Sequence, residues 1–167
     1  MKKLIIFLLM ILPLGVFAQE AKVAIVNSQE IMMAMPEITA MQETMKQMND
    51  KYAGEMKTME DEFQKKYTDY IAQQDSMTEN IKLRRTQELE DIRQRVENFT
   101  QVAQQDMSKK QQELLAPIQE KLRNAIKAVG DEKGYAYIID NNPGIVLYTG
   151  NAAIDATPLV KAKLGLK

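Results

Sequence analysis

The stretch KGYAYIIDNNPGIVLYTG, Lys133 to Gly150, decides how the rest of the chain is read. Two runs with strand character, YAYIID and IVLY, flank Asn141-Asn142-Pro143-Gly144, a cluster of turn-forming residues. This pattern predicts a β-hairpin, and a hairpin by itself is barely stable in water. Both faces of the first run are apolar, with Tyr135, Tyr137 and Ile139 on one side and Ala136 and Ile138 on the other. The predicted hairpin therefore needs cover on two sides, and the remaining sequence has to supply it.

Upstream, Ala21 to Asn27 (AKVAIVN) is the only strand candidate in the N-terminal half. Asn27 followed three residues later by Glu30 fits a capping box, which predicts a short helix from Ser28 to Ala34. Pro36 then ends one helix and suits the first position of the next. From there the apolar residues recur in steps of three and four: Ile38, Met41, Met45, Met48, Tyr52, Met56, Met59, Phe63, Tyr67 and Tyr70. Gln73-Gln74-Asp75 breaks the pattern, and Ser76 with Glu79 reads as a second capping box. A second series follows: Leu89, Ile92, Val96, Phe99, Ala103, Met107, Lys110, Leu114, Ile118, Leu122, Ala125 and Val129. Its mean step is about 3.6 residues, the helical repeat. That period favours a nearly straight helix pair over a heptad supercoil.

Both stripes are narrow, about one apolar residue per turn, as suits a single partner helix. The two helices are therefore expected to zip together as an arm roughly 55 Å long, with its tip near residues 73–78. Pro117 interrupts the second pattern and is expected to kink the helix where the arm (36–117) meets the body (19–35 and 118–167). Beyond it the apolar face broadens to Ile118, Leu122, Ala125, Ile126 and Val129. Gly130 or Gly134 closes the helix, and Thr157-Pro158 begins a last short one, Leu159 to Leu164.

The first eighteen residues read as a secretory signal. Lys2 and Lys3 precede an apolar run from Leu4 to Leu14, and Val16-Phe17-Ala18 provides the cleavage pattern. Removing these 18 of 167 residues leaves 149, enough for one domain, with 20 basic against 23 acidic residues and a net charge of −3. That balance gives no basis for nucleic acid as a partner. With neither histidine nor cysteine, the chain lacks the commonest general base, any disulfide and the thiol that lipoprotein acylation needs. No cofactor is expected. Dense carboxylates on the arm read as a solvated helix face and not as acid–base machinery. An exported, soluble, non-enzymatic protein is expected; an enzyme would have to work with carboxylates, lysines and tyrosines only.

The body counts 67 residues and the arm 82. Three short strands and a few helix ends make a meagre core for a domain that anchors such a lever. The sheet is therefore expected to continue into other copies of the chain, with Val23, Ile25, Tyr137, Ile139, Val146 and Tyr148 buried between subunits.

This arrangement resembles the Skp (OmpH-like) family of periplasmic chaperones. The residues that carry the resemblance are KVAIVNSQEIM, then IQEKLRNAIKAVGDEKGYAYIIDNNPGIVLY, then the closing IDATPLVKAKL. Ile118 to Asp140 is the most specific part, an amphipathic helix joined through lysine-glycine-tyrosine to a strand ending in aspartate. The resemblance implies an α+β fold and a homotrimer: a small β-barrel body built by strands from three subunits, with one long antiparallel α-helical hairpin (tentacle) per subunit. It implies a periplasmic holdase that shields unfolded outer-membrane proteins in a cavity between the arms, without ATP, before membrane insertion. Familiar members are strongly basic, and their positive arms attract acidic clients or the lipid headgroups of a membrane surface. This chain departs from that pattern: near its tip Lys82, Arg84, Arg85, Arg93 and Arg95 alternate with Glu79, Glu88, Glu90, Asp91 and Glu97.

Candidate contact residues are distributed. Met32, Met33 and Met35 lie off the long stripe, where the arm meets the body, and offer adaptable apolar contact. Ile71, Leu83, Val102 and Leu115 lie off or beside the seam, as single apolar points. Many weak points can hold a tethered chain through high effective concentration and still release it. Eight of the twelve methionines fall between Met32 and Met59. Thioethers bind Cu(I), but methionines strung along a seam read first as flexible core filler. The competing class is a periplasmic coiled-coil adaptor or tether with no chaperone activity.

Overall fold

The computed structural model describes residues 21–142 and 146–166; the signal sequence with its cleavage after Ala18 lies outside them, as do Pro143 and Gly144 of the predicted turn and Ile145 of the run after it. In chain order the elements are β1 (Val23–Val26), α1 (Ser28–Ala34), α2 (Pro36–Gln73), a 3₁₀ turn (Gln74–Ser76), α3 (Glu79–Lys133), β2 (Tyr137–Asp140), β3 (Ile154–Asp155) and α4 (Thr157–Lys163).

The local signals explain most of these boundaries. Asn27 Oδ1 accepts the Glu30 backbone N–H at 3.0 Å and starts α1. Met35 is extended (φ −74°, ψ 129°) because proline follows it, and Pro36 opens α2. Gly134, at φ 65° and ψ 37°, supplies the left-handed residue that terminates α3, so the helix runs straight past Gly130. One detail differs from the sequence reading. The cap of α3 is Thr78, not Ser76, whose hydroxyl instead donates to the Gln73 carbonyl inside the tip turn. As expected, α3 continues through Pro117 and is helical from Glu79 to Lys133.

The arm is the expected antiparallel pair. As the partner number on α2 rises from Glu37 through Tyr52 and Glu62 to Lys66, that on α3 falls from Lys121 through Asp106 and Arg95 to Glu88. Tyr52 sits edge-on to Phe99 with ring centroids 5.7 Å apart and an interplanar angle of 73°. All the predicted stripe positions on α3 are buried or half-buried. On α2 the pattern holds to Phe63; then Tyr67 turns out to solvent, stacked on Phe63, while Lys66 takes the inner place and reaches Glu88 at 3.4 Å.

The hairpin is corrected. β2 and β3 are not partners: the sheet order is β2-β1-β3, and both pair parallel to β1. Val23 lies opposite Tyr137 and Ile25 opposite Ile139, while Ala24 lies opposite Ile154. The run Val146 to Tyr148 forms no strand; the third strand is Ile154–Asp155. The physical reason is that β1 offers two open edges. The whole arm crosses over between β1 and β2, and a parallel neighbour satisfies β1 on each side.

One face of this sheet is sealed. Ala24 and Val26 pack with Ile31 and Met35, with Ile38 from α2, and with Ile118, Leu122, Ala125 and Val129 from α3. Ala156 and Val160 close the cluster, and Ile138 packs against it. A polar clasp fixes the sheet's C-terminal edge. Ser28 donates its N–H (3.2 Å) and its hydroxyl to the Asp140 carboxylate. The Asn27 N–H donates to Thr157 Oγ1 at 2.9 Å, and the Thr157 N–H to Asp155 Oδ1 at 2.9 Å. Donors at the start of α1 that would otherwise be orphaned are thus satisfied from β2 and α4.

Candidate binding surfaces

Alternation along β1 and β2 puts Val23, Ile25, Tyr137 and Ile139 together on the face away from the core. No described element of the chain covers that face: Tyr137 is 68 % exposed and Ile139 42 %. On the segment that follows, Leu147 and Tyr148 are 93 % and 86 % exposed, and Val146 is half-buried. The structure therefore brings Val23, Ile25, Tyr137 and Ile139 into one patch, with Val146 and Tyr148 on the adjoining loop. Leu147 is not among the residues that the sequence singles out, because the strand pattern of IVLY gives it no separate role.

The arm-side candidates separate. Met33 is 70 % exposed on α1, whereas Met35 is 1 % exposed inside the body core, where it packs against neighbours and presents nothing to solvent. Met32 and Leu115 are half-buried against the same core. Ile71, Leu83 and Val102 all project to solvent. They stay separate points along the arm, since the helical stripe takes the inner positions.

Cavities open along the arm, and two of them are large. One of about 360 Å³ sits at its root, lined by Ala40, Met41, Leu114, Pro117 and Ile118 and rimmed by Glu37 and Lys121. Lys121 holds Glu37 in an ion pair across it; that hydrogen bond, more than the helix's own backbone, keeps the Glu37 carboxyl below its usual range. The second Glu37 oxygen, Oε2, is enclosed without a partner. The other cavity, about 480 Å³, opens mid-arm between Met45, Tyr52, Met56, Phe99 and Met107. Met45 and Met56 stand eleven residues apart on α2, about 16 Å, too far to share one ion. Among the described residues no group of histidine, cysteine or acidic side chains could hold a metal, and no helix is long and apolar enough to cross a membrane.

A long helical hairpin rooted by one continuous helix in a small parallel sheet defines a tentacled α+β protein. The chain belongs to the family described as "Outer membrane protein (OmpH-like)", whose model matches residues 22–164. No curated protein sequence matches it. Among solved structures it is similar to a candidate outer membrane chaperone (OmpH-like) from Caulobacter crescentus CB15, with a TM-score of 0.74 at 16 % identity, over 85 % of this chain and 82 % of that one. At that identity the likeness is one of fold.

Proposed function

We propose that this protein is an ATP-independent periplasmic holdase for unfolded outer-membrane proteins, working as a homotrimer. Family membership supports the chaperone role. The observation that carries the assembly is the uncovered outer face of the sheet. Val23, Ile25, Tyr137 and Ile139 are apolar, contiguous and unshielded by their own chain, the condition that burial against sister chains relieves. Three bodies joined by these faces, with the Val146–Tyr148 segments closing over them, form the barrel. The arms then stand around a common space.

Clients are held by many weak apolar contacts. Met33, Ile71, Leu83 and Val102 offer such contacts from the arm and its root, with Met32 and Leu115 at the half-buried margin. Release needs no nucleotide, because each contact alone is weak. Near the tip, positive charges are matched by carboxylates. Lys66, Arg84 and Arg85 all meet Glu88, and Arg93 meets Glu97, so apolar contact outweighs charge steering and lipid headgroups are secondary partners.

Mass photometry of the processed protein, alone and with a urea-unfolded outer-membrane barrel, tests both halves. The expected result is a trimer that keeps one barrel soluble at stoichiometric ratio. Tyr137→Glu with Ile139→Glu should give a folded monomer with weak holding. A trimer that leaves the barrel to aggregate would make the molecule a tether, and a stable wild-type monomer would overturn the assembly.

A further inference from the structure

We propose that Met45, Met56 and Met107 form an oxidation site at which peroxide or hypohalous acid converts thioethers to sulfoxides and thereby unzips the arm. Five of the twelve methionines (Met41, Met45, Met48, Met56 and Met59) lie on α2, and the chain has no cysteine to react first. The mid-arm cavity of about 480 Å³ is lined by all three residues, which are half-buried, so a small oxidant reaches them without unfolding. Polar atoms already approach this sulfur: the Thr100 hydroxyl oxygen lies 3.9 Å from Met56 Sδ. Met35, by contrast, is sealed in the body at 1 % exposure and is oxidised only when the core opens.

The chemistry is self-contained. The sulfur lone pair attacks one peroxide oxygen, an S–O bond forms as the O–O bond breaks, and the departing hydroxide takes the remaining proton to leave as water. Sulfur is oxidised by two electrons and peroxide reduced by two. A methionine sulfoxide reductase reverses the step with two electrons from its thiols, the oxygen leaving as water. The product is polar and stands where an apolar side chain held the seam. With about one apolar residue per turn, the seam has little else to hold it, whereas the body core contains neither Met45 nor Met56 nor Met107. Oxidation should therefore melt the arm and spare the body.

The test treats the full-length processed protein with hydrogen peroxide and follows each methionine by peptide mass spectrometry, with limited proteolysis and circular dichroism reporting the arm. Met45, Met56 and Met107 should gain oxygen at least about tenfold faster than Met35. Arm helicity and protease resistance should fall as they do so, and return on treatment with methionine sulfoxide reductases. The Met45→Leu, Met56→Leu, Met107→Leu variant should keep its arm through the same treatment. Equal rates at the cavity and at Met35, an oxidised wild type with an intact arm, or a leucine variant that melts alike would each overturn the proposal. None of these readouts depends on client binding, so the result stands apart from the holdase reading.

Discussion

Body and arm bury their apolar residues in different ways. In the body, Ala24, Ile31, Ala156 and Val160 reach 0 % exposure, sealed between a sheet face and four helices. In the arm, a stripe of similar length stays half-buried almost throughout, and Ile92 alone drops to 2 %. A two-helix seam has solvent on both flanks, so each residue gains part of its transfer free energy and polar atoms reach the edges. The body concentrates its stability in a few side chains, and the arm spreads it thinly along many. The consequence is a difference in how each half fails: the body collapses at a point and the arm frays along a line.

Substitutions can break that contrast. The largest effect is expected at Ile31→Ala, which empties a fully enclosed site and should cost about 2–5 kcal/mol in urea unfolding followed by circular dichroism. A cost near that of an arm residue would contradict the point-like body. Next comes Asp140→Ala, which strips the Ser28 N–H and hydroxyl of their acceptor and should cost about 1–3 kcal/mol in the same measurement. In the arm, Tyr52→Phe removes only the 3.0 Å bond to Asp106 and should cost about 0.5 kcal/mol, with the ring pair to Phe99 intact.

Acid gives a further handle. Hydrogen bonds from Arg85 and Lys66 hold the Glu88 carboxyl below its ordinary value of 4.5. Lys121 does the same for Glu37, also from 4.5. A carboxylate whose folded pKa is depressed stabilises the fold above the unfolded value and loses that contribution as pH falls through the folded one. Cross-arm pairing should therefore weaken progressively below about pH 4.5, visible as arm proteolysis before the body unfolds, and Glu88→Gln should flatten that dependence. The smallest effect is expected at Lys57→Ala, whose partner Asp61 is itself solvent-exposed; stability should change by less than about 0.5 kcal/mol.

The arm was almost fully legible because a 3.6-residue period names its own inner face. It misled only toward the tip, where Lys66 displaces Tyr67 because an ion pair with Glu88 was within reach; hydropathy carries no such information. The body was legible in its helix boundaries, since Asn27, Pro36 and Gly134 act on their immediate neighbours. Its sheet was not. Turn residues between two apolar runs suggest an antiparallel return, but pairing is decided by which edge is open, and β1 lies more than a hundred residues away. β3, with two residues, is too short to leave a pattern. Of the contact residues, Met33, Ile71, Leu83 and Val102 are where off-stripe spacing puts them, on the outside. Met35 is not, because the break at Pro36 turns its side chain inward. The pairing of Asp140 with Ser28 spans 112 residues and leaves no local trace.

The arm's two legs are mounted differently. α3 passes unbroken through Pro117 into the body and carries Leu122, Ala125 and Val129 on the same rod as the tip, whereas α2 meets the body through the extended residue Met35. One rail is welded and the other pinned, as in a derrick boom. A force on the far end therefore reaches the foundation along an unbroken helical backbone in α3, but across a single non-helical residue in α2.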